Sequence, residues 1–462
     1  MKHSTTPALH TDRYELTMLD AALKDGAGER AAVFEVFGRS LPAGRAYGVV
    51  AGIDRAIEAI AEFTFTEEQI DWLLDVNVIS PQTADYLRDF RFAGTVSGYR
   101  DGDIYTANSP LLRVEGTFAE CVVLETLVLS ILNHDSSVAT AAARMVRAAR
   151  GRTLIEMGSR RTHEESAVHA ARAAFIAGFT ATSNLEAGFR YGIPTVGTAA
   201  HASVLAHADE IEAFTAQIAA QGVGTTLLVD TYDIENGIET AVKAARQFGA
   251  DGPGAIRIDS GDLLEESIKA RAQLDAYGCD VTKIVVSGDL DEYKIEALVA
   301  ADAPIDTFGV GTRLVTGSNC PSPGFVYKLV AIQNDDGSMR PVAKKSASKA
   351  TSGGRTYAYR VTSSYLTAYL DARPHLTATG PEETYVVEVQ SKFDLAGIPS
   401  RADAQRIHIS NGVVMGDGLT SERLVRRRRN CQETLDGLSP MFFGLDATIV
   451  EPVRVEKTPA AN

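Results

Sequence analysis

The chain has 462 residues, 60 of them acidic against 45 Lys and Arg, for a formal net charge of −15. Apolar residues at 45% and charged residues at 23% are ordinary for a globular chain, which excludes wholesale disorder and leaves room for about two or three domains. The acidic balance excludes a duplex nucleic-acid binder or an anionic-membrane binder, which would need a basic face, but leaves a small anionic ligand open because a pocket can be locally basic.

The polar N-terminus, Met1 to Asp12, holds no apolar signal core. Tyr14-Glu15-Leu16-Thr17-Met18 predicts an opening helix, and Ile53 to Phe63 a second. Phe92 to Asn108, with Gly94, Gly98 and Gly102 among β-branched and aromatic residues, predicts short antiparallel strands. Cys121 to Leu132 is the most apolar stretch, but Glu125 interrupts it and it is too short to span a bilayer, so a buried helix is expected. Cys121, Cys279, Cys320 and Cys431 form no C-x-x-C pair, which speaks against a zinc knuckle or a disulfide framework and for a reduced, cytoplasmic setting.

From about residue 150 the rhythm changes. Strand-like runs recur at Thr153 to Met157, Pro194 to Val196, Thr226 to Val229, Ala255 to Ile258, Lys283 to Val286 and Thr307 to Val310, with helical stretches between them. In one of these Ala167, Val168, Ala171, Ala174 and Phe175 fall on a single helical face. Apolar, β-branched strands alternating with helices predict a parallel sheet covered by helices, and this many units favour a closed or nearly closed βα barrel. After about 330 the pattern dissolves. Lys344 to Arg355 reads as a mobile loop, and strands resume at Tyr357 to Val361 and Thr384 to Val389. The expected division is an N-terminal α+β segment over 1–115, a barrel carrying the active site over 116–330, and a C-terminal segment over 331–462 that packs back on the first. Arg426 to Arg429, with Arg423, is the one basic cluster; without aromatic interleaving it is expected as a solvated helix face.

The chemistry is expected at the strand ends, which finish in Gly158-Ser159-Arg160-Arg161, Gly197-Thr198-Ala199-Ala200-His201, Asp230, Asp259-Ser260-Gly261-Asp262, Ser287-Gly288-Asp289 and Gly309-Val310-Gly311-Thr312. In a βα barrel these ends converge on one rim. Gly309-x-Gly311-Thr312 and Ser287-Gly288-Asp289 can offer backbone N–H groups to a phosphate, or simply be tight βα turns. Asp230, Asp259, Asp262 and Asp289 can hold Mg²⁺ or ribose hydroxyls, or cap helices, a role that suits Asp262. Arg160, Arg161 and Arg257 can grip an anionic ligand or balance those carboxylates. His201, at a strand end among phosphate-binding candidates, can serve as base or as nucleophile toward phosphorus, whereas His207 reads as structural.

These residues carry a resemblance. The chain is similar to nicotinate phosphoribosyltransferases of the short bacterial type, among the type II phosphoribosyltransferases, from Thr11-Asp12-Arg13-Tyr14-Glu15-Leu16-Thr17 to about residue 445. Leu41 to Tyr47, Met157 to Arg161, Thr182-Ser183-Asn184, Gly197 to His201, Ile258 to Asp262, Gly309 to Thr312 and Gly324 to Val330 match in order and spacing. The resemblance implies an α/β fold, an irregular βα barrel with a second α+β domain built from the N- and C-terminal segments. It implies a reaction of NAD salvage, in which nicotinate and phosphoribosyl pyrophosphate give nicotinate mononucleotide and pyrophosphate with coupled ATP hydrolysis and Mg²⁺. It further implies a cytoplasmic homodimer with its active site at the interface, and no nucleic-acid or membrane partner.

By the same resemblance His201 is the transiently phosphorylated histidine, and Tyr14 stacks on the pyridine ring across the dimer. Arg160 and Arg257 flank that ring and its carboxylate, with Arg161 beside them. Asp259 is the ribose- or metal-binding carboxylate; Gly288, Asp289, Gly309 and Gly311 form the 5′-phosphate loops; and Lys344, Lys349 and Thr351 belong to a pyrophosphate-side loop. Thr198, Asp230, Ser260, Ser287 and Thr312 complete the substrate-binding set, and His201, Asp259 and Arg257 the catalytic one. Related nicotinamide-specific enzymes carry an Asp where this chain has Ser183; a neutral Ser can donate to a carboxylate, so the acid is expected to be preferred. The loop Lys344 to Arg355 lacks the proline often found before its glycine, and Arg313 stands where a smaller residue is usual. The competing readings are a nicotinamide or quinolinate phosphoribosyltransferase, or a non-catalytic nucleotide-binding homologue. Quinolinate needs an extra cationic clamp, and a pure binder needs no nucleophile.

Overall fold

A computed structural model of the chain describes residues 6–344, 353–361, 383–389, 402–403, 405–436 and 453–455. The chain divides into two compact units, 1–137 with 322–462, and 138–321. The first division falls inside one long helix, Glu125–Ala149.

The first unit is α+β and draws strands from both ends of the chain. Its seven-stranded sheet runs Met339–Pro341, Phe325–Gln333, Ala31–Gly38, Leu112–Thr117, Thr95–Gly98, Arg406–Ser410, Val413–Val414, antiparallel throughout. Ala31–Gly38 is buried along almost its whole length, as a central strand should be. Phe34 stacks on Tyr327 with ring centroids 4.8 Å apart, and the Tyr327 hydroxyl donates to the Cys121 carbonyl at 2.9 Å. The apolar stretch from Cys121 is buried as expected, but divided between the helices Phe118–Val122 and Glu125–Ala149. Among the described residues no helix is long and apolar enough to cross a membrane, and all four cysteines are buried and outside any disulfide.

The Arg426–Arg429 run departs from expectation. It lies in the helix Ser421–Asp436, but Arg427 and Arg423 both grip Asp54, at 3.0 and 2.6 Å, where that carboxylate is 1% exposed. A buried carboxylate has to find cations or lose its charge, so part of the run is structural; only Arg426 and Arg429 are largely solvated.

The second unit is a parallel half-barrel wrapped by helices. Its six strands lie in the order Ala181–Thr182, Thr153–Glu156, Thr307–Val310, Lys283–Val286, Ala255–Ile258, Thr226–Leu228. In chain terms the first strand sits between the second and the last, as in a barrel, and the ladder is open between the second and the third. The run Pro194 to Val196 is not a strand; it contributes only a bridge from Thr195 to Thr182, while the two-residue strand Ala181–Thr182 was not anticipated. The helix Glu164–Ala177 buries the predicted face, but also Ala170, Arg172, Ala173 and Ile176, so it is enclosed rather than one-sided. Side chains of Asn184, Asp209, Asp233, Asp262 and Asp291 cap the helices that follow, each accepting a backbone N–H from the first turn. Asp262 is therefore a cap. Of the acidic pairs on these helices, Glu164-Glu165 and Glu265 face solvent, but Glu210 is buried.

Candidate active site

Arg257 organises the rim of the half-barrel. It lies on Ala255–Ile258, in register with Leu228 on one side and Val285 on the other. Its guanidinium makes three hydrogen bonds: Nε donates to Ser287 Oγ at 2.9 Å, Nη1 to Thr198 Oγ1 at 2.9 Å and Nη2 to Asp259 Oδ1 at 3.1 Å. The Ser287 hydroxyl also donates to Asp259 Oδ1. Next along the rim, Asp230 Oδ2 accepts from the Asp259 N–H at 2.9 Å and from Ser260 Oγ at 2.7 Å. Three strand ends and the segment carrying Thr198 thus meet in one polar network. Neither Asp230 nor Asp259 caps a helix, which leaves both for ligand chemistry.

His201 opens the short helix His201–Leu205, in the chain segment that fills the open side of the ladder. Its Nδ1 is hydrogen-bonded to Thr231 Oγ1 at 3.1 Å, and its Nε2 lies 3.9 Å from Asp230 Oδ1. The imidazole is 43% exposed and the Asp230 side chain 1%. Asp230 Oδ1 is buried without a hydrogen-bond partner, so its charge is available to the imidazole. The two bonds His201–Thr231 and Arg257–Thr198 tie the segment after Thr195 to the far side of the opening. Thr231 was missed by sequence reasoning; its one signal was adjacency to Asp230.

The glycine loops come to the same rim. Gly288 adopts φ +125°, and a Cβ there would stand 3.0 Å from the Asp259 carbonyl, so the backbone passes too close for a side chain. Asp289 follows at φ +45°, exposed. A Cβ on Gly309 would reach 2.7 Å from Met157 Sδ and 3.4 Å from Ser287 Cβ. Gly311 and Thr312 start the short helix Thr312–Val315. Arg160 and Arg161 lie in the turn Ser159–Arg161, exposed, with no ion pair among the described residues. Ser183 follows Ala181–Thr182, half-buried, its N–H bonded to the Glu156 carbonyl at 2.8 Å.

Tyr14 and Lys344 belong to the first unit. Tyr14 stands in the first turn of Arg13–Asp25, 46% exposed, where Asp12 and Glu15 form a capping box. Its hydroxyl pKa is pushed up to about 12, first by desolvation and then by Glu125 and Glu15, so the phenol keeps its proton. Lys344 is exposed. Lys349 and Thr351 lie outside the described residues, as does Lys345.

Among the described residues no cluster of three or more His, Cys, Asp or Glu is arranged to hold a metal ion. Asp259 Oδ2 has no protein partner, and one carboxylate oxygen together with substrate phosphates is how Mg²⁺ is commonly held. The residues therefore fit a substrate-borne Mg²⁺ rather than a protein-caged one. A cleft of about 680 Å³ beside the rim is lined by Asp230, Asp233, Glu235, Glu266, Ser260 and Lys269 among others, and this acidic lining does not suit a polyanion. Arg257 and the glycine loops can take anionic groups instead.

Residues 9–133 match the nicotinate phosphoribosyltransferase (NAPRTase) N-terminal domain, and residues 153–371 the nicotinate phosphoribosyltransferase (NAPRTase) family. The nicotinate phosphoribosyltransferase pncB1 of Mycobacterium tuberculosis is 56% identical over 360 residues, covering 76% of this chain and 78% of that one. The nicotinate phosphoribosyltransferase of Bacillus subtilis is 41% identical over 360 residues, covering 77% and 73%. In fold, the crystal structure of human nicotinic acid phosphoribosyltransferase superposes with a TM-score of 0.75 at 23% identity over 96% of this chain and 97% of that one. The nicotinate-nucleotide pyrophosphorylase of Pyrococcus furiosus superposes with a TM-score of 0.71 at 23% identity over 95% and 99%.

Proposed function

The chain belongs to the nicotinate phosphoribosyltransferase family of enzymes, and on that premise we propose that it joins nicotinate to phosphoribosyl pyrophosphate. The products are nicotinate mononucleotide and pyrophosphate, in NAD salvage, with ATP hydrolysis coupled through a phosphohistidine at His201. The observation that carries this reading is the network of Arg257, Thr198, Ser287, Asp259 and Asp230 set beside His201. It places a cation, a free carboxylate oxygen and an imidazole on one rim with two glycine loops.

At the sugar, displacement at C1 is dissociative, with oxocarbenium character, and no protein nucleophile attacks. The loops at Gly288-Asp289 and Gly309 to Thr312 offer backbone N–H groups to the 5′-phosphate. Asp259 orients ribose, and with the substrate pyrophosphate it would hold Mg²⁺, which supplies charge neutralisation. Arg257 is rigid because three acceptors hold it, so it is pre-set for the anion. Arg160 and Arg257 flank the pyridine ring and its carboxylate, with the unpaired Arg161 beside them. Tyr14 is the stacking aromatic, contributed by the partner of a cytoplasmic homodimer, and Lys344, Lys349 and Thr351 are assigned to pyrophosphate.

In the ATP half-reaction, Asp230 beside Nε2 favours the tautomer with the proton there, which leaves the lone pair at Nδ1. That nitrogen, next to the Thr231 hydroxyl, attacks the γ-phosphorus and ADP departs. Water later takes the phosphoryl group.

The test is pyrophosphate release from the purified protein with nicotinate, nicotinamide or quinolinate, each with and without ATP. The expected result is turnover of nicotinate, accelerated by ATP. Preference for nicotinamide or quinolinate, or no turnover of any, overturns the reading.

A further inference from the structure

Glu156 ends the strand Thr153–Glu156 as a fully buried carboxylate, and the chemistry above gives it no part. Its Oε1 accepts the Gly158 N–H, its Oε2 accepts the Thr182 hydroxyl at 2.5 Å, and its carbonyl accepts the Ser183 N–H at 2.8 Å. A second layer continues the lock. Thr182 Oγ1 accepts the Asn184 N–H at 2.9 Å, and Asn184 Nδ2 donates to Ser159 Oγ at 3.0 Å. Asn184 Oδ1 also caps the next helix through the Ala187 N–H at 2.8 Å.

Among the described residues no cation pairs with Glu156. Burial disfavours its charged form and pushes its pKa up, while the two donors act the other way. An apolar residue would fill such a place at lower cost unless the bonds themselves are needed. What they join is specific. One side is the turn that presents Arg160 and Arg161; the other is the strand end that presents Ser183. The site reading gives those residues the pyridine carboxylate and the choice between acid and amide.

We propose that Glu156 is the positioning residue of the pyridine subsite, locking the Arg160 turn and the Ser183 strand end in one register so that both meet the same carboxylate. The proposal rests on the nicotinate reading and deepens it. It distinguishes Glu156 from ordinary core support by predicting a loss confined to one substrate.

The experiment measures KM for nicotinate and for phosphoribosyl pyrophosphate, and kcat, in the wild type, Glu156→Ala, Glu156→Gln and Thr182→Val. Glu156→Ala is expected to raise KM for nicotinate roughly tenfold and to narrow the preference for nicotinate over nicotinamide, with KM for phosphoribosyl pyrophosphate little changed. Glu156→Gln keeps an acceptor for Gly158 and an amide that can bond Thr182, and is expected to restore most of the loss. Thr182→Val breaks the same lock without touching the carboxylate, so it reads the effect even where Glu156→Ala does not fold. Equal rises in both KM values, a fall in kcat alone, or a change in thermal stability with no change in kinetics overturns the proposal. A wild type that turns over nicotinate but variants without the KM split reject this inference alone; a wild type that does not turn it over rejects the functional reading, and this inference with it.

Discussion

His201 has a carboxylate oxygen 3.9 Å from Nε2 and a hydroxyl hydrogen-bonded to Nδ1, and this asymmetry gives the imidazole a direction. Asp230 spends one oxygen on the Asp259 N–H and Ser260 and leaves the other buried and unbonded toward His201. A buried oxygen left so would be stabilised when the ring becomes charged, as it would on the proposed phosphorylation. His201→Ala should abolish ATPase activity and the phosphoenzyme, detected with γ-labelled ATP, while slow ATP-independent synthesis persists; equal loss of both activities would make His201 structural. Asp230→Asn should slow phosphoenzyme formation on the order of 10²-fold in rapid-quench measurements. Ser183 poses a separate test of charge. Ser183→Asp puts a carboxylate where nicotinate's own carboxylate is expected, so KM for nicotinate should rise and turnover of nicotinamide should appear. If the variant keeps its preference for the acid, discrimination lies with Arg160 and Arg161.

At the scale of elements, the two glycine loops are joined from behind. Glu292 begins the helix after Ser287-Gly288-Asp289; its Oε1 accepts from Arg144 Nε at 2.9 Å and its Oε2 from Ser318 Oγ at 2.9 Å, just past the helix Thr312–Val315. Burial opposes ionisation of Glu292, but the hydrogen bonds from Arg144 and Ser318 outweigh it and the carboxyl pKa is lowered. A lowered carboxyl pKa gives stability that is complete above the ordinary carboxylate range and is lost as pH falls through the lowered value. Glu292→Gln should therefore cost about 3 kcal/mol at neutral pH by urea denaturation, and should flatten the acid-side fall in stability. An unchanged acid limb would place the loss elsewhere. These carboxylates also mark the limit of what the sequence makes legible. The four-residue barrel strands were readable because each is a short apolar run followed closely by Gly or Asp, and Arg257 and Asp259 because they sit at such an end, whereas the run before His201, Pro194 to Val196, forms no strand. Ala181–Thr182 was not readable, since two residues carry no period. The partner of Glu292 stands 148 residues away and that of Arg427 some 373, and nothing local in a Glu or an Arg run announces burial against a distant residue.

For the whole molecule, the charge of −15 is compatible with anionic substrates because of where the acids lie. Glu164 and Glu165, Asp209 and Glu210, and Glu265 and Glu266 stand at helix N-termini, where the backbone dipole favours negative charge and takes up part of the excess. The remaining question at this scale is assembly. The helix Leu185–Tyr191, directly after Ser183, carries Leu185 and Phe189 four residues apart on one face, 76% and 88% exposed. An apolar pair so exposed next to the proposed pyridine subsite is what the proposed homodimer, with Tyr14 supplied by the partner, would cover. Phe189→Glu should then shift the protein toward monomer in light scattering and reduce ATP-coupled synthesis together with it. Complementation tests the shared site directly. Tyr14→Ala and His201→Ala proteins, each deficient alone, should regain ATP-coupled activity when mixed and allowed to exchange subunits, because a mixed dimer restores one site with both residues. A dimer that shows no complementation would mean that Tyr14 serves its own chain; a monomer that stays fully active would remove the interface from the mechanism altogether.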